Sequence, residues 1–348
     1  MSIMSITGWG FDVRTEQVDI YTYPTSQDTD AAQCVFTLGD LHGNAMKLLF
    51  VLIRWGIVSG VTPKAYQTLA NIYQKEVQQL SAEDLRLFAQ LIDDAQGVSG
   101  AFLRLLGDDM ADRGQNDYFT MQILQKLKRA GVHTEIILSN HGYEFVALCE
   151  RAQSSISKET FLSHFREVHC APITSLNNLR VLIEKDRVLP EDVLTFYEDV
   201  YKPMLAINGG TLSDDQQKIV LYTHAPVDLR YFMALAKKLD IRAGEVQNAR
   251  ALAQMLMKIQ QKFQRKYLQN NRGHCLFEET ATPDIETTPV NYGLWNRQTV
   301  NLALPDYAYL IHGHTSDTLS AHSINLDNNL GKSMALNQGI LTYVVQRR

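Results

Sequence analysis

The chain has 348 residues, of which 45% are hydrophobic and 20% charged, and its formal net charge is −5. That is the make-up of a globular protein of one large or two ordinary domains with ample core. A net negative charge argues against nucleic acid and anionic membrane surfaces as partners.

In chain order, residues 1–32 read as polar and irregular, with two short strands around 17–23. CVFTLG (34–39) is a short apolar run rich in β formers and ending in glycine, which predicts a buried strand. Residues 44–55 predict a helix with Met46, Leu49, Phe50 and Ile53 on one side. Residues 63–95 predict two helices broken at Ser81, whose Ser-Ala-Glu-Asp resembles an N-cap followed by first-turn acids. AFLRLLG (101–107) is a second strand, 115–130 a helix and VHTEIILS (132–139) a third strand. Residues 143–204 read as mostly helical, KIVLYTH (218–224) as a fourth strand, and 226–268 as helical again. Residues 270–300 read as loop. YAYLIHGH (307–314) is a fifth strand, and SINLD (323–327), SMALN (333–337) and ILTYVVQ (340–346) read as a closing antiparallel meander.

Alternating strands and helices predict a layered α/β fold with central mixed β-sheets flanked by helices. A single domain over 1–348 is expected, with helical insertions at about 60–97, 150–215 and 226–290 forming a cap. The start, MSIMSITGWGFDVRTE, lacks a basic segment followed by an apolar core, so no signal peptide is read there. MKLLFVLIRWGIV is too short to span a bilayer. The four cysteines form no Cys-x-x-Cys pair, which favours reduced thiols over a disulfide frame and implies a cytoplasmic-type environment.

The strands share an ending. The first closes in GDLHGN (Asp40, His42), the second in GDDMADRG (Asp108, Asp109, Asp112, Arg113), the third in SNHG (Asn140, His141), the fourth in THAP (His224) and the fifth in HGHT (His312, His314). Each has a commoner explanation alone: an aspartate after a strand caps a turn, and a histidine is usually a satisfied core residue. Jointly those explanations fail, because five of ten histidines fall at strand ends beside Asp, Asn or Gly. In open α/β sheets these ends form the ligand crevice. The expectation is therefore carboxylate, imidazole and amide ligands delivered to one edge of one sheet.

Gly-Asp-x-His-Gly, an Asp-Arg-Gly block, Asn-His, a lone His after a strand and Gly-His-Thr, in that order, resemble the calcineurin-like metallophosphoesterase superfamily. The Asp-Arg-Gly block is similar to its phosphoprotein phosphatase branch, and LWNR (294–297) and INLD (324–327) resemble elements of bacterial members. The resemblance runs from Gly39 to about Asp327. It implies a phosphomonoesterase with two divalent metal ions, Mn first and Fe or Zn otherwise, whose bridging hydroxide attacks a phosphate ester directly. By motif it implies Asp40 and His42 on the first metal with His314, an aspartate of the second motif as the bridge, and Asn140 and His224 on the second metal with a late histidine. It further implies His141 as general acid supported by Asp112, and Arg113 and Arg297 as grips on the phosphoryl oxygens.

Two features depart from the pattern. Ser139-Asn140-His141-Gly142 stands where the family carries Gly-Asn-His followed by an acid, so the ligand and the acid survive but the acidic support is missing unless Glu144 substitutes. The second motif also has one residue too many. Alignment on Asp-x-x-Asp-Arg-Gly selects Asp109 as the bridge. Position after the strand selects Asp108, since Gly107-Asp108 repeats Gly39-Asp40; Asp109 is then a spare pointing to solvent or a backbone N–H.

The implied substrate is a phosphoserine or phosphothreonine protein, with phosphotyrosine a further option. A small-molecule phosphoesterase, such as a diadenosine-polyphosphate hydrolase or nucleotidase, is the alternative. A decayed binding module is disfavoured because every ligand class is present. The Gln/Asn-rich, helix-inserted build also resembles effector phosphatases that Legionella-type pathogens inject into host cells. That likeness implies a host phosphoprotein partner and secretion without a classical signal peptide.

Overall fold

The computed structural model describes the chain except residues 1, 7, 28–29, 154–156, 169–171, 243, 278–282, 298–303 and 316–321. Two sheets carry the fold. The larger has seven strands in the order β1 (Ser2–Ile6), β2 (Phe11–Asp19), β13 (Gln338–Arg347), β3 (Cys34–Leu38), β6 (Phe102–Leu105), β7 (His133–Ile137) and β8 (Leu205–Ala206). Strands β3, β6, β7 and β8 run parallel, and β13 is antiparallel to both its neighbours. The smaller sheet has the order β12 (Ser323–Asn325), β11 (Ala308–His312), β10 (Ile219–Tyr222) and β9 (Gly209–Leu212), with only β9 antiparallel. Strands β4 (Val58–Ser59) and β5 (Gln96–Gly97) form a separate ribbon.

The sheets pack face to face. Phe11, Leu106, Ile137 and Val344 from one meet Val220, Tyr222, Ile311 and Ile324 from the other in one buried cluster. Helices α1 (Ala45–Arg54), α2 (Pro63–Tyr73), α3 (Ala82–Asp93) and α4 (Asp117–Arg129) pack together beside the large sheet. Next in the chain come α5 (Asn140–Ala152), α6 (Lys158–Ser163), α7 (Thr174–Glu184), α8 (Pro190–Phe196) and α9 (Lys202–Met204). Helix α10 (Leu229–Lys238) packs on α12 (Pro289–Trp295), and α11 (Ala249–Lys262) covers β9 and β10.

The layered, mixed-sheet α/β expectation holds. Helix α3 starts where predicted, with a complete capping box: Asp84 N–H donates to Ser81 Oγ, and Ser81 N–H to Asp84 Oδ2. Five local readings are corrected. Residues 1–32 are not irregular: β1 and β2 occupy much of them, their alternation hidden by the polar outward residues of FDVRTEQVD. The closing segments are no meander, because β12 runs parallel to β11 while β13 crosses to the other sheet. SMALN lies in turns outside any strand. Residues 270–300 contain α12, entered through Pro289 at its first position. Helix α1, expected to be one-sided, is buried from Ala45 to Ile53.

Candidate active site

The metal-competent strand ends converge, but from two sheets and not along one edge. The loops after β3, β6 and β7 meet those after β10 and β11. A cavity of about 40 Å³ there is lined by Asp40, His42, Asp108, Arg113, Asn140, His141, Arg297, His314, Asp327 and Lys332. His224 stands against it, Nε2 2.8 Å from Asn140 Oδ1 and 3.6 Å from Asp108 Oδ1. Asp40, His42, Asp108, Asn140, His141, His224, His314 and both arginines thus lie in or against one cavity, and Asp112 is tied to it through His42 Nδ1, 3.2 Å away.

The backbone is bent sharply to achieve this. His42 (φ 60°), Asp108 (φ 51°), Ala111 (φ 55°) and His314 (φ 65°) are left-handed, half of the eight non-glycine residues so placed among those described. Each such residue costs on the order of 1–2 kcal/mol, a strain that concentrates at functional sites. Gly107, at φ 112°, permits the second turn; a Cβ there would lie 2.5 Å from Ser139 Cβ and 2.8 Å from His224 Nδ1. Ser139 caps α5 by accepting from Gly142 N–H at 2.9 Å, and it also accepts from Asp108 N–H at 2.8 Å. The serine that departs from the family pattern therefore ties the second motif to the third. Asp112 N–H donates to Ser175 Oγ at 3.0 Å, so α7 braces the Asp-Arg-Gly turn.

The electrostatics call for a cation. Asp40 Oδ1, Asp108 Oδ1 and His314 Nε2 are buried without a hydrogen-bond partner. Such atoms each carry a desolvation cost. Among the described residues, the carboxylate oxygens of Asp40 and Asp108 have no lysine or arginine nitrogen within 4.0 Å; the basic side chain that stands against both is His224, at 3.7 and 3.6 Å. Burial, with Asp327 and Asp108 nearby, pushes the Asp40 carboxyl well above the usual range. Burial also raises Asp108, but His224, His141, His314 and His42 together outweigh it and pull that carboxyl far down. Burial drives His314 down to about 2. His224 Nδ1 donates to Leu106 carbonyl at 2.8 Å, a tautomer assigned from that partner, which turns the Nε2 lone pair toward Asn140 Oδ1 and Asp108. Two acceptor atoms 2.8 Å apart suit joint ligation of one ion. Ligand atoms of Asp108, His224 and His314 lie within 4.8 Å of one another, as do those of Asp40, His42 and Asp327, and those of His42, Asp108 and Asp112. Oxygen and imidazole donors in this mix could hold divalent metal ions.

The remaining predicted residues take definite places. His141 Nδ1 donates to Ala111 carbonyl at 2.8 Å, and its Nε2 is 3.5 Å from Asp112 Oδ1. Asp112 meets His42 more closely and also accepts from Arg113 Nη1 at 2.9 Å. Arg297, an exposed side chain, reaches His314 carbonyl at 3.5 Å. Asp109 does not face solvent: it is fully buried, and its carboxyl lies by the Tyr201 hydroxyl. His312 is outside the cavity lining, its Nδ1 2.9 Å from Gly313 carbonyl. Glu144 is buried on α5.

Asp327, Lys332 and Lys47 were missed from sequence. Asp327 lies 3.2 Å from His42 Nε2 and 3.4 Å from Lys332 Nζ. INLD marked its neighbourhood, but nothing in the pattern singled out the aspartate. Lys47, inside apolar α1, donates from Nζ to Asp40 carbonyl at 2.6 Å and Leu330 carbonyl at 3.0 Å. Burial lowers it to about 8.

This geometry can be set beside known proteins. No curated protein matches the chain. The crystal structure of the phosphatase domain from the Legionella effector WipB superposes with a TM-score of 0.70 at 28% identity, covering 80% of this chain and 99% of that one. Residues 102–332, from β6 through the turn that carries Lys332, match the model of the WipA-like phosphatase domain. The match spans most of the chain and the cavity loops from Asp108 to Lys332, so the chain belongs to the WipA-like phosphatase domain family and is a phosphatase.

Proposed function

We propose that the protein is a dinuclear metal-dependent protein phosphatase that removes phosphate from phosphoserine or phosphothreonine, with phosphotyrosine a further substrate. The observation that carries it is the set of buried acceptor atoms without a hydrogen bond, Asp40 Oδ1, Asp108 Oδ1 and His314 Nε2, beside Arg113 and Arg297. Asp108, Asn140, His224 and His314 would hold one ion, and Asp40, His42 and Asp327 the other, with Asp108 the nearer candidate for a bridge. When bound, such ions supply an activated water and neutralise phosphoryl charge. Arg113 and Arg297 orient the phosphoryl oxygens with planar donor forks. His141, its Nδ1 fixed by Ala111, delivers a proton from Nε2 to the leaving oxygen, and Asp112 stabilises the charged ring.

The cavity's size admits only the phosphoryl group and leaves the rest of the substrate outside. About 40 Å³ accepts a phosphoryl group, whereas pockets that engulf small molecules run to roughly 300–1,000 Å³. A phosphorylated side chain presented from a partner's surface fits that limit. Because the WipB domain comes from a Legionella effector, we place the action of this protein in a host cell, on a host phosphoprotein. Purified protein should carry about two equivalents of divalent metal by mass spectrometry and turn over phosphopeptides, with Mn restoring activity after chelation. Turnover confined to dinucleotide polyphosphates would sink the protein-phosphatase reading, and full activity after exhaustive chelation would sink the metal.

A further inference from the structure

A second chemical cluster lies at the other end of α5. Glu150 is ten residues from Asn140, a rise of about 15 Å along the helix. Its buried carboxylate is surrounded by donors: Tyr197 hydroxyl at 2.8 Å, Gly273 N–H at 3.1 Å, and His274 N–H and Nδ1, both at 2.8 Å. Gly273 is needed for that approach, since a Cβ there would lie 2.9 Å from Glu150 Oε1. With Nδ1–H given to the carboxylate, His274 keeps its lone pair on Nε2. That nitrogen is 3.3 Å from Cys275 Sγ, and Cys275 is exposed. The order carboxylate, imidazole, thiol is that of an activated nucleophile, in which a third group orients the base.

We propose that Glu150, His274 and Cys275 form a base-activated thiol, a covalent modification site for small electrophiles separate from the phosphatase cavity. A turn held only for structure needs Glu150 on the two backbone N–H groups. It does not need an oriented imidazole aimed at an exposed sulfur. With a peroxide, His274 Nε2 takes the thiol proton and the sulfur attacks oxygen. The S–O bond forms as the O–O bond breaks, and the leaving hydroxide takes the proton as water. Cysteine is thereby oxidised by two electrons to a sulfenic acid, and the peroxide is reduced.

The test is iodoacetamide labelling of the full chain at pH 7, resolved by peptide mass mapping so that each cysteine is read separately. Native Cys275 should label on the order of tenfold faster than the same residue in urea-unfolded chain, a gain typical of a histidine-paired thiol moderated by reduced intrinsic nucleophilicity. His274→Gln should bring the native rate down to the unfolded one, with p-nitrophenyl phosphate turnover and thermal melting unchanged. A native rate equal to or below the unfolded rate, or a His274→Gln protein labelling as fast as wild type, overturns the assignment. If His274→Gln does not fold, the native-to-unfolded ratio of the wild type decides alone.

Discussion

Replacing Gly313 by alanine tests the site most directly, because the structure sets the size of the perturbation. Gly313 joins the β11 end to His314, and a Cβ on it would lie 1.8 Å from Asp40 Oδ1. Ordinary contact begins at about 3.5 Å, so roughly 1.7 Å of movement is required. Asp40 cannot supply it by rotating its carboxylate, because Oδ2 accepts from His314 N–H at 2.9 Å and the side chain is buried. Either Asp40 or the His314 loop must shift, and each carries a proposed metal ligand. A displacement of about 1 Å at a reacting centre costs on the order of 10²-fold. Gly313→Ala should therefore lose at least about 10²-fold in kcat/KM on p-nitrophenyl phosphate, equivalent to about 2.7 kcal/mol, together with bound metal. Gly244→Ala is the control, since nothing lies within 4 Å of the added carbon; it should be indistinguishable from wild type. A folded Gly313→Ala protein with wild-type turnover and metal content would refute the placement of Asp40 in the centre.

Asp108→Asn and Asp109→Asn separate the two adjacent acids. The first should abolish turnover, by about 10³-fold or more, and reduce metal content; the second, changing a carboxyl that lies by Tyr201 and outside the cavity lining, should stay within about threefold. The reverse pattern in steady-state kinetics would reassign the bridge to Asp109. His141→Ala should retain metal and lose roughly 10²–10⁴-fold in kcat on a phosphoserine peptide, with a smaller loss on p-nitrophenyl phosphate, whose leaving group needs no proton; equal losses on both would remove the acid role. Ser139→Ala deletes the α5 cap and the acceptor for Asp108 N–H, and should cost about 1 kcal/mol. An unchanged melting temperature would contradict it.

Much of the site was legible because its ligand types recur at strand ends, and a parallel strand delivers its C-terminal residue to a predictable rim. Gly107-Asp108 repeating Gly39-Asp40 is a local signal, and in the folded chain Asp108 lines the cavity while Asp109 does not. Strands over CVFTL and the capped start of α3 were legible for the same reason, since residues a few positions apart decide them. What stayed hidden depends on residues far apart. Asp327 enters through His42, 285 positions away, and reads from sequence as the end of a β segment. Lys47 reads as one cation in an apolar helix, yet its ammonium is held by two carbonyls, one of them Leu330's. The crossing of β13 into the large sheet, and hence the meeting of two sheets at the cavity, follows from pairing with β2 and β3 at the opposite end of the chain. By itself the sequence determined which donor types stand at which strand ends, because that is local chemistry. Only the tertiary structure decided which of them share a cavity and which buried acceptors lack a partner, because those depend on long-range packing.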